Sequence, residues 1–198
     1  MAKKKHYTDP LLEGRFYHIY NRSIAEGSLF KSDENKAFFL KKCLQFFGDR
    51  ISLYAYCLLN NHFHLLIRVE ETENDTEASE IEISGIFRRL FQSYALSFNS
   101  YYGRKGTLFQ RPFKRALIET EQNFTNVIYY IHANPQRHGL IKDFKHWNWS
   151  SYASILSEKP TSLCREEVLK WFGGREHFIK FHSDNQSEYL DKITAEDY

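Results

Sequence analysis

The sequence is short of cysteine, with Cys43, Cys57 and Cys164 spread over 198 residues and no CxxC pair among them. An odd, widely spaced set argues against a disulfide framework and against a cysteine zinc site, and reads as buried, reduced thiols. Also lacking is any apolar run near the roughly 20 residues that cross a bilayer. The opening MAKKKHYTDP has no apolar segment of the kind a secretory signal needs, so the chain is expected to be cytoplasmic, with no membrane partner. There is no low-complexity block, no internal repeat and little excess charge: a net +2 does not by its sum argue for nucleic acid.

What is present is apolar and aromatic side chain, 42% and 17% of residues, enough to bury one sizeable core. RFYHIYN (15–21) is aromatic and β-branched and predicts a first strand with Phe16, His18 and Tyr20 on one face. Ser32 followed by Asp33 and Glu34 predicts a capped helix with Ala37, Leu40, Leu44 and Phe47 at helical spacing. ISLYAYCLL (51–59), Asn60–Asn61 and HFHLLIRV (62–69) predict a hairpin, because Asn tolerates the positive φ of tight turns.

Seven acidic residues and no basic one lie between Glu70 and Glu82, which reads as a solvated loop. Ile83, Ile86, Phe87, Leu90, Tyr94, Phe98 and Tyr101 then predict an amphipathic helix over 82–102, stopped by Gly103. Alternation from Phe113 to Thr120 predicts a strand, and a helix begins near Glu121. The order β-α-β-β-α-β, followed by another helix, predicts the α+β, ferredoxin-like fold: a four-stranded antiparallel sheet with helices on one face. The second face is left for a ligand or a further helix.

On the strand 62–69, His62 and His64 share one face while Phe63, Leu65, Ile67 and Val69 share the other. Two imidazoles at this spacing can converge on one cation, although HxH alone fits ordinary polar-face histidines equally well. On the helix after Glu121, Phe124, Val127, Ile128 and Ile131 form the core stripe. Tyr130 and Asn134 lie together on its flank, about 40° apart at ~100° per residue, while Tyr129 is almost opposite the stripe. A flank position can be held and still reach a ligand, so Tyr130 is the better candidate for chemistry.

Taken together, YAYCLLNNHFHLLI (54–67), YGRKGTLFQRPFKR (102–115), YYIHANPQRHGLI (129–141) and WNWSSY (147–152) resemble the bacterial single-tyrosine transposases of the HUH superfamily, in the REP-associated tyrosine transposase branch. The blocks keep that family's order and spacing over most of residues 13–155. The resemblance implies a transposase-like catalytic domain over 1–155 and leaves 156–198 as a short helical extension of unassigned role, with helices around Val168–Phe172 and Phe178–Phe181. It places the His-hydrophobic-His motif on His62, Phe63 and His64, the nucleophile on Tyr130, and the third metal ligand on Asn134. Asn60 stands where a proline is common in the family, and His138 where a small residue is usual.

The same resemblance implies cleavage and rejoining of single-stranded DNA through a 5′-phosphotyrosine, with Mg²⁺ or Mn²⁺ as cofactor and no nucleotide. The DNA it implies is a hairpin with a single-stranded flank. Arg104, Lys105, Arg111, Lys114 and Arg115, interleaved with Tyr101, Tyr102, Phe109 and Phe113, suit such a strand, with cations on phosphates and rings beneath unpaired bases. The rival readings are a binding module on the same fold that has lost catalysis, and a replication initiator or relaxase of the same superfamily. The RRM-type aromatic signature is absent, and a tyrosine C-terminal to the histidine motif favours the transposase branch.

Overall fold

The computed structural model describes residues 9–24, 27–71 and 78–192. Its sheet has four strands: β1 (Phe16–Arg22), β2 (Ile51–Leu58), β3 (His62–Val69) and β4 (Lys114–Ile118). They lie in the order β2-β3-β1-β4 with every neighbouring pair antiparallel, the ferredoxin-like arrangement. Helices α1 (Asp33–Phe47) and α2 (Ala78–Tyr101) connect the strands. Helix α3 (Glu121–Arg137) follows, then α4 (Tyr152–Leu156), α5 (Arg165–Trp171) and α6 (Arg175–Lys192). The acidic segment expected as a loop lies largely outside the described residues, and α2 starts four residues before the expected Glu82.

Local chemistry sets these boundaries. Ser32 caps α1 by accepting from the Asn35 amide, and Thr120 caps α3 by accepting from Asn123. Gly103, at φ 60°, follows the end of α2 in a conformation that side chains with a Cβ resist. Helix α3 runs past the expected Asn134 to Arg137 although Pro135 lies within it. Two expected stripes are shifted. The buried face of α1 is Lys36, Phe39, Cys43 and Phe47, because the Phe39 ring, packed on Phe30, Phe63 and Tyr94, offers more apolar area than Ala37 or Leu40. On α2 the stripe ends at Phe98, and Tyr101 is 80% exposed.

Alternation along the central strands builds two cores, one on each face. Tyr17, Ile19, Phe63, Leu65, Ile67 and Val69 meet α1 and α2. Tyr54, Leu66, Phe124, Ile128 and Ile131 lie in the opposite core with Phe144, Tyr152, Val168 and Phe178. The second face of the sheet is therefore covered rather than open. The outer edge of β2 is closed by the WNWSSY block: Trp149 O accepts from the Leu58 amide, Trp147 Nε1 donates to Leu58 O, and Ser150 bridges Cys57. Cys43, Cys57 and Cys164 are free thiols, and burial raises all three above the ordinary thiol range.

A buried polar chain crosses the second core. The His182 Nδ1–H donates to Phe178 O at 2.8 Å, so neutral His182 accepts at Nε2 from the His132 Nδ1–H at 3.0 Å. His132 Nε2 then accepts from Ser151 Oγ at 2.7 Å, and Ser151 Oγ accepts from the Tyr56 amide at 2.9 Å. Every donor has one acceptor, and both rings are neutral.

Burial lowers the pKa of both histidines from 6.5, that of His182 to about 4. The unfolded chain therefore binds more protons below 6.5, so stability is full above about pH 6.5 and falls as pH drops toward 4. Urea midpoints should fall between pH 7.5 and pH 5. His182→Leu, which leaves His132 Nδ1–H without its acceptor, should cost roughly 1–3 kcal/mol at pH 7.5 and flatten the pH dependence. A pH dependence unchanged by that variant would assign the effect to other groups.

Candidate functional site

The hairpin and α3 bring together side chains that are far apart in sequence. His62 and His64 leave β3 on the α3 side, and Tyr130 and Asn134 reach them from one flank of the helix. His62 Nε2 lies 3.0 Å from Asn134 Oδ1. The His62 and His64 rings are 5.3 Å apart and perpendicular, and the Tyr130 ring is 5.4 Å from His64, edge on. The sequence-derived residues Tyr130, His62, His64 and Asn134 thus occupy one place. His62, His64 and Tyr130 border a cavity of about 160 Å³ that Arg22, Lys114 and His138 also line, and Asn134 is buried behind His62.

Electrostatics at this cavity favour an anionic ligand. Among the described residues Arg22 and Lys114 line it and no carboxylate does, and the Arg137 guanidinium lies 4.6 Å from the centre of the Tyr130 ring. Burial depresses His62 to about 4 and His64 well below the imidazole range, with the positive charges of Arg22 beside His62 and Arg137 beside His64 adding to the effect. Both rings are therefore neutral at neutral pH and have lone pairs to offer.

His62 carries a conflict that its own protons cannot resolve. Its Nδ1 lies 2.7 Å from Asn61 Oδ1 and its Nε2 lies 3.0 Å from Asn134 Oδ1. A neutral imidazole has one N–H, so it can satisfy one of these two oxygens. At the other, two lone pairs face each other unless the amide turns its NH₂ toward the ring or a cation takes up both lone pairs. Octahedral coordination with bonds of about 2.1 Å sets neighbouring donor atoms about 3 Å apart, the separation seen at Asn134. Among the described residues no group of three His, Cys, Asp or Glu is placed to hold a metal, so a metal centre at His62 and His64 would need an oxygen donor of another kind, for which the Asn134 amide is placed.

The basic segment is divided. Lys114 is exposed, lines the cavity and lies over the Tyr20 ring. Lys105 and Arg111 are exposed, and Arg111 lines a cleft of about 660 Å³ between α2 and residues 106–113. Arg104 bonds Asn99 Oδ1 and Thr107 O, fastening its loop to α2, and Arg115 bonds Asp9 O and Ser84 Oγ on the α2 side of the sheet. Of the aromatics expected to stack on bases, Phe109 is buried and Phe113 packs on Phe87 and Phe91. Their size makes them core residues. The cleft and the smaller cavity meet at Asn21 and Gln110, which line both.

Sequence reasoning missed His18, Asn61, Arg137 and the contact of His138 with the His62 ring at 4.7 Å. The signal for His18 was its face, shared with Phe16 and Tyr20; what was missing was the register of β1 on β3, which sets Tyr20 opposite His64 and His18 opposite Leu66.

No protein-family profile matches the chain. A Haemophilus influenzae protein named as a candidate REP-associated tyrosine transposase is 29% identical over 100 residues, 50% of this chain and 57% of that protein. A solved structure of a REP-associated tyrosine transposase bound to a REP hairpin superposes with a TM-score of 0.58 at 16% identity, covering 78% of this chain and 87% of that one. Both comparisons point to the REP-associated tyrosine transposases. With the solved transposase the likeness is one of fold, and the match to the curated relative spans a little over half of that protein's length.

The two adjacent tyrosines of α3 differ in environment. Tyr129 is buried against Phe144 and α6, and its hydroxyl donates to Asn185 O at 2.8 Å, whereas Tyr130 is half-buried at the cavity. The expected position of Tyr129 opposite the core stripe holds, but α6 covers that side. Tyr129→Phe should therefore lower stability by about 1 kcal/mol, and Tyr130→Phe should lower it less. Chemical denaturation of the two variants side by side checks this, and the reverse order would exchange the two environments.

Proposed function

We propose that this protein is a metal-dependent DNA strand transferase that cleaves and rejoins single-stranded DNA through Tyr130. His62, His64 and Asn134 would hold the divalent ion, Mg²⁺ or Mn²⁺ in the cell. The observation that carries this reading is the single N–H of His62 set between two amide oxygens beside a half-buried tyrosine, at a cavity whose described lining has cationic side chains and no carboxylate. The likeness to a transposase bound to a REP hairpin supports a hairpin with a single-stranded flank as the partner.

Bound there, the ion would supply a Lewis acid for the scissile phosphate, offsetting the charge that resists attack on a phosphodiester. The chain's own residues account for the rest. Tyr130 Oη forms a bond to phosphorus as the P–O3′ bond breaks, giving a 5′-phosphotyrosine and a free 3′-hydroxyl. Arg137 lies over the Tyr130 ring, and with Arg22 and Lys114 at the cavity wall it places positive charge where the phosphate must sit. The reverse attack of a 3′-hydroxyl on the phosphotyrosine rejoins the strand, so the ester energy is retained and no nucleotide is consumed. The cleft between α2 and residues 106–113, which shares Asn21 and Gln110 with the cavity wall, offers a path for the flanking strand.

Tyr130→Phe should abolish the covalent adduct with a labelled single-stranded hairpin taken from the gene's own flanks, while DNA binding stays within about twofold, since one hydroxyl oxygen is lost. Denaturing gels and a binding titration read the two effects separately. An adduct that persists in Tyr130→Phe would refute the nucleophile, and binding with no adduct in the unaltered protein would favour a binding module without catalysis.

DNA affinity should also fall steeply with salt, because each phosphate contact releases counterions. Arg104 fastens its own loop, so the exposed Lys105 and Arg111 are the informative pair. In the Tyr130→Phe background, changing both to Ala should flatten the log–log salt slope by about 1.4, from roughly 0.7 per single-strand phosphate contact, and weaken different sequences alike. An unaltered slope would place the strand elsewhere.

A further inference from the structure

His18 lies on β1, outside the set that the proposed chemistry uses, and is fixed against that set. Its Nε2 is 2.9 Å from His64 Nδ1. Tyr20 stacks on His18 at 4.8 Å and on His64 at 5.6 Å, and the planes of His18 and His64 lie within 25° of each other. Packing thus holds both rings in the orientation that keeps the nitrogens in contact.

One proton lies between these two nitrogens, and its owner decides what His64 can do. If His64 carries Nδ1–H, its Nε2 is bare and can bind a metal. If His18 donates instead, neutral His64 carries its proton on Nε2 and cannot. The same division operates at His62, whose Nδ1 faces Asn61 Oδ1, an acceptor, and whose Nε2 faces Asn134. Each histidine of the pair therefore has a partner at Nδ1 from a neighbouring segment, β1 for His64 and the hairpin turn for His62. A ring nitrogen that ligates a metal generally has its other nitrogen held in this way.

We propose that His18 is a positioning residue for the metal pair: its Nε2 accepts the Nδ1–H of His64 and so leaves His64 Nε2 unprotonated for a divalent cation. This rests on the proposed metal-binding role of His62, His64 and Asn134, and adds to it a residue from a different strand. His18 need not touch the metal or the DNA.

The test is titration of the full chain with Co²⁺, without DNA, followed by visible absorption and by proton NMR of the shifted exchangeable ring N–H signals. The unaltered protein should bind Co²⁺ and show two such signals, one each from His62 and His64. His18→Ala should weaken Co²⁺ by 10- to 100-fold and lose the His64 signal to solvent exchange. His18→Gln, whose side-chain oxygen can accept the same proton, should recover most of the affinity and the signal. Melting curves of both variants establish that the fold survives, and an Ala variant that binds as tightly as the unaltered protein overturns the proposal. So does a Gln variant no better than Ala, because the hydrogen bond would then not be the cause. Failure of the underlying metal reading is distinguished by His64→Ala: full Co²⁺ binding in that variant, or none in the unaltered protein, removes the metal pair and the role of His18 with it.

Discussion

Strict alternation along β3 is the constraint on which the rest of the structure depends. Phe63, Leu65, Ile67 and Val69 are buried against α1 and α2, so His62, His64 and Leu66 must face the other way. A slip of one residue would put two imidazoles into the aromatic core beside Phe39 and Phe91 and expel four apolar side chains from it. At roughly 1.5–3 kcal/mol for each large apolar side chain buried, that penalty is comparable with the whole stability of a domain. Placement of the histidine pair is thus enforced by the burial of its neighbours, and the pair itself is free to serve chemistry.

That placement carries an electrostatic consequence. The proposed donors are two neutral imidazoles and an amide, and among the described residues the cavity beside them is lined by Arg22 and Lys114 but by no carboxylate. A divalent ion bound by such a set would keep its full charge, in a place already positive. Anionic phosphate is the natural complement, so ion and DNA should each favour the binding of the other, as reciprocal linkage requires. Carboxylate ligands would satisfy the ion on their own and weaken its pull on the phosphate.

The order of strands and helices along the chain, the hairpin and the start of α1 were legible because they rest on local signals: alternation, the Asn60–Asn61 turn, and the hydroxyl cap at Ser32. So were the flank position of Tyr130 and its nearness to Asn134, which follow from helical pitch. What sequence did not reveal depends on what packs against an element. The stripe of α1 falls on Phe39 and Cys43 because Phe30, Phe63 and Tyr94 surround the Phe39 ring. Phe109 and Phe113 alternate with basic residues as a strand-binding surface would, yet they fill the core beneath α2. His18 acquires its partner through the pairing of β1 with β3, two segments separated by some forty residues.

A nucleophile must be held against rotation as well as brought near, and α3 is held from two sides. Tyr130 and Asn134 face the sheet, while His132, two residues from Tyr130 and about 200° around the helix at ~100° per residue, faces α6. There His132 is the middle of the chain that runs from the Tyr56 amide through Ser151 to His182 and Phe178 O. A rotation of α3 that moved Tyr130 away from His64 would also break both ring hydrogen bonds of the fully buried His132, and an unmet buried polar group costs roughly 1–3 kcal/mol. The sheet determines where the tyrosine points, and the buried histidine chain on the far side of the helix resists its turning away.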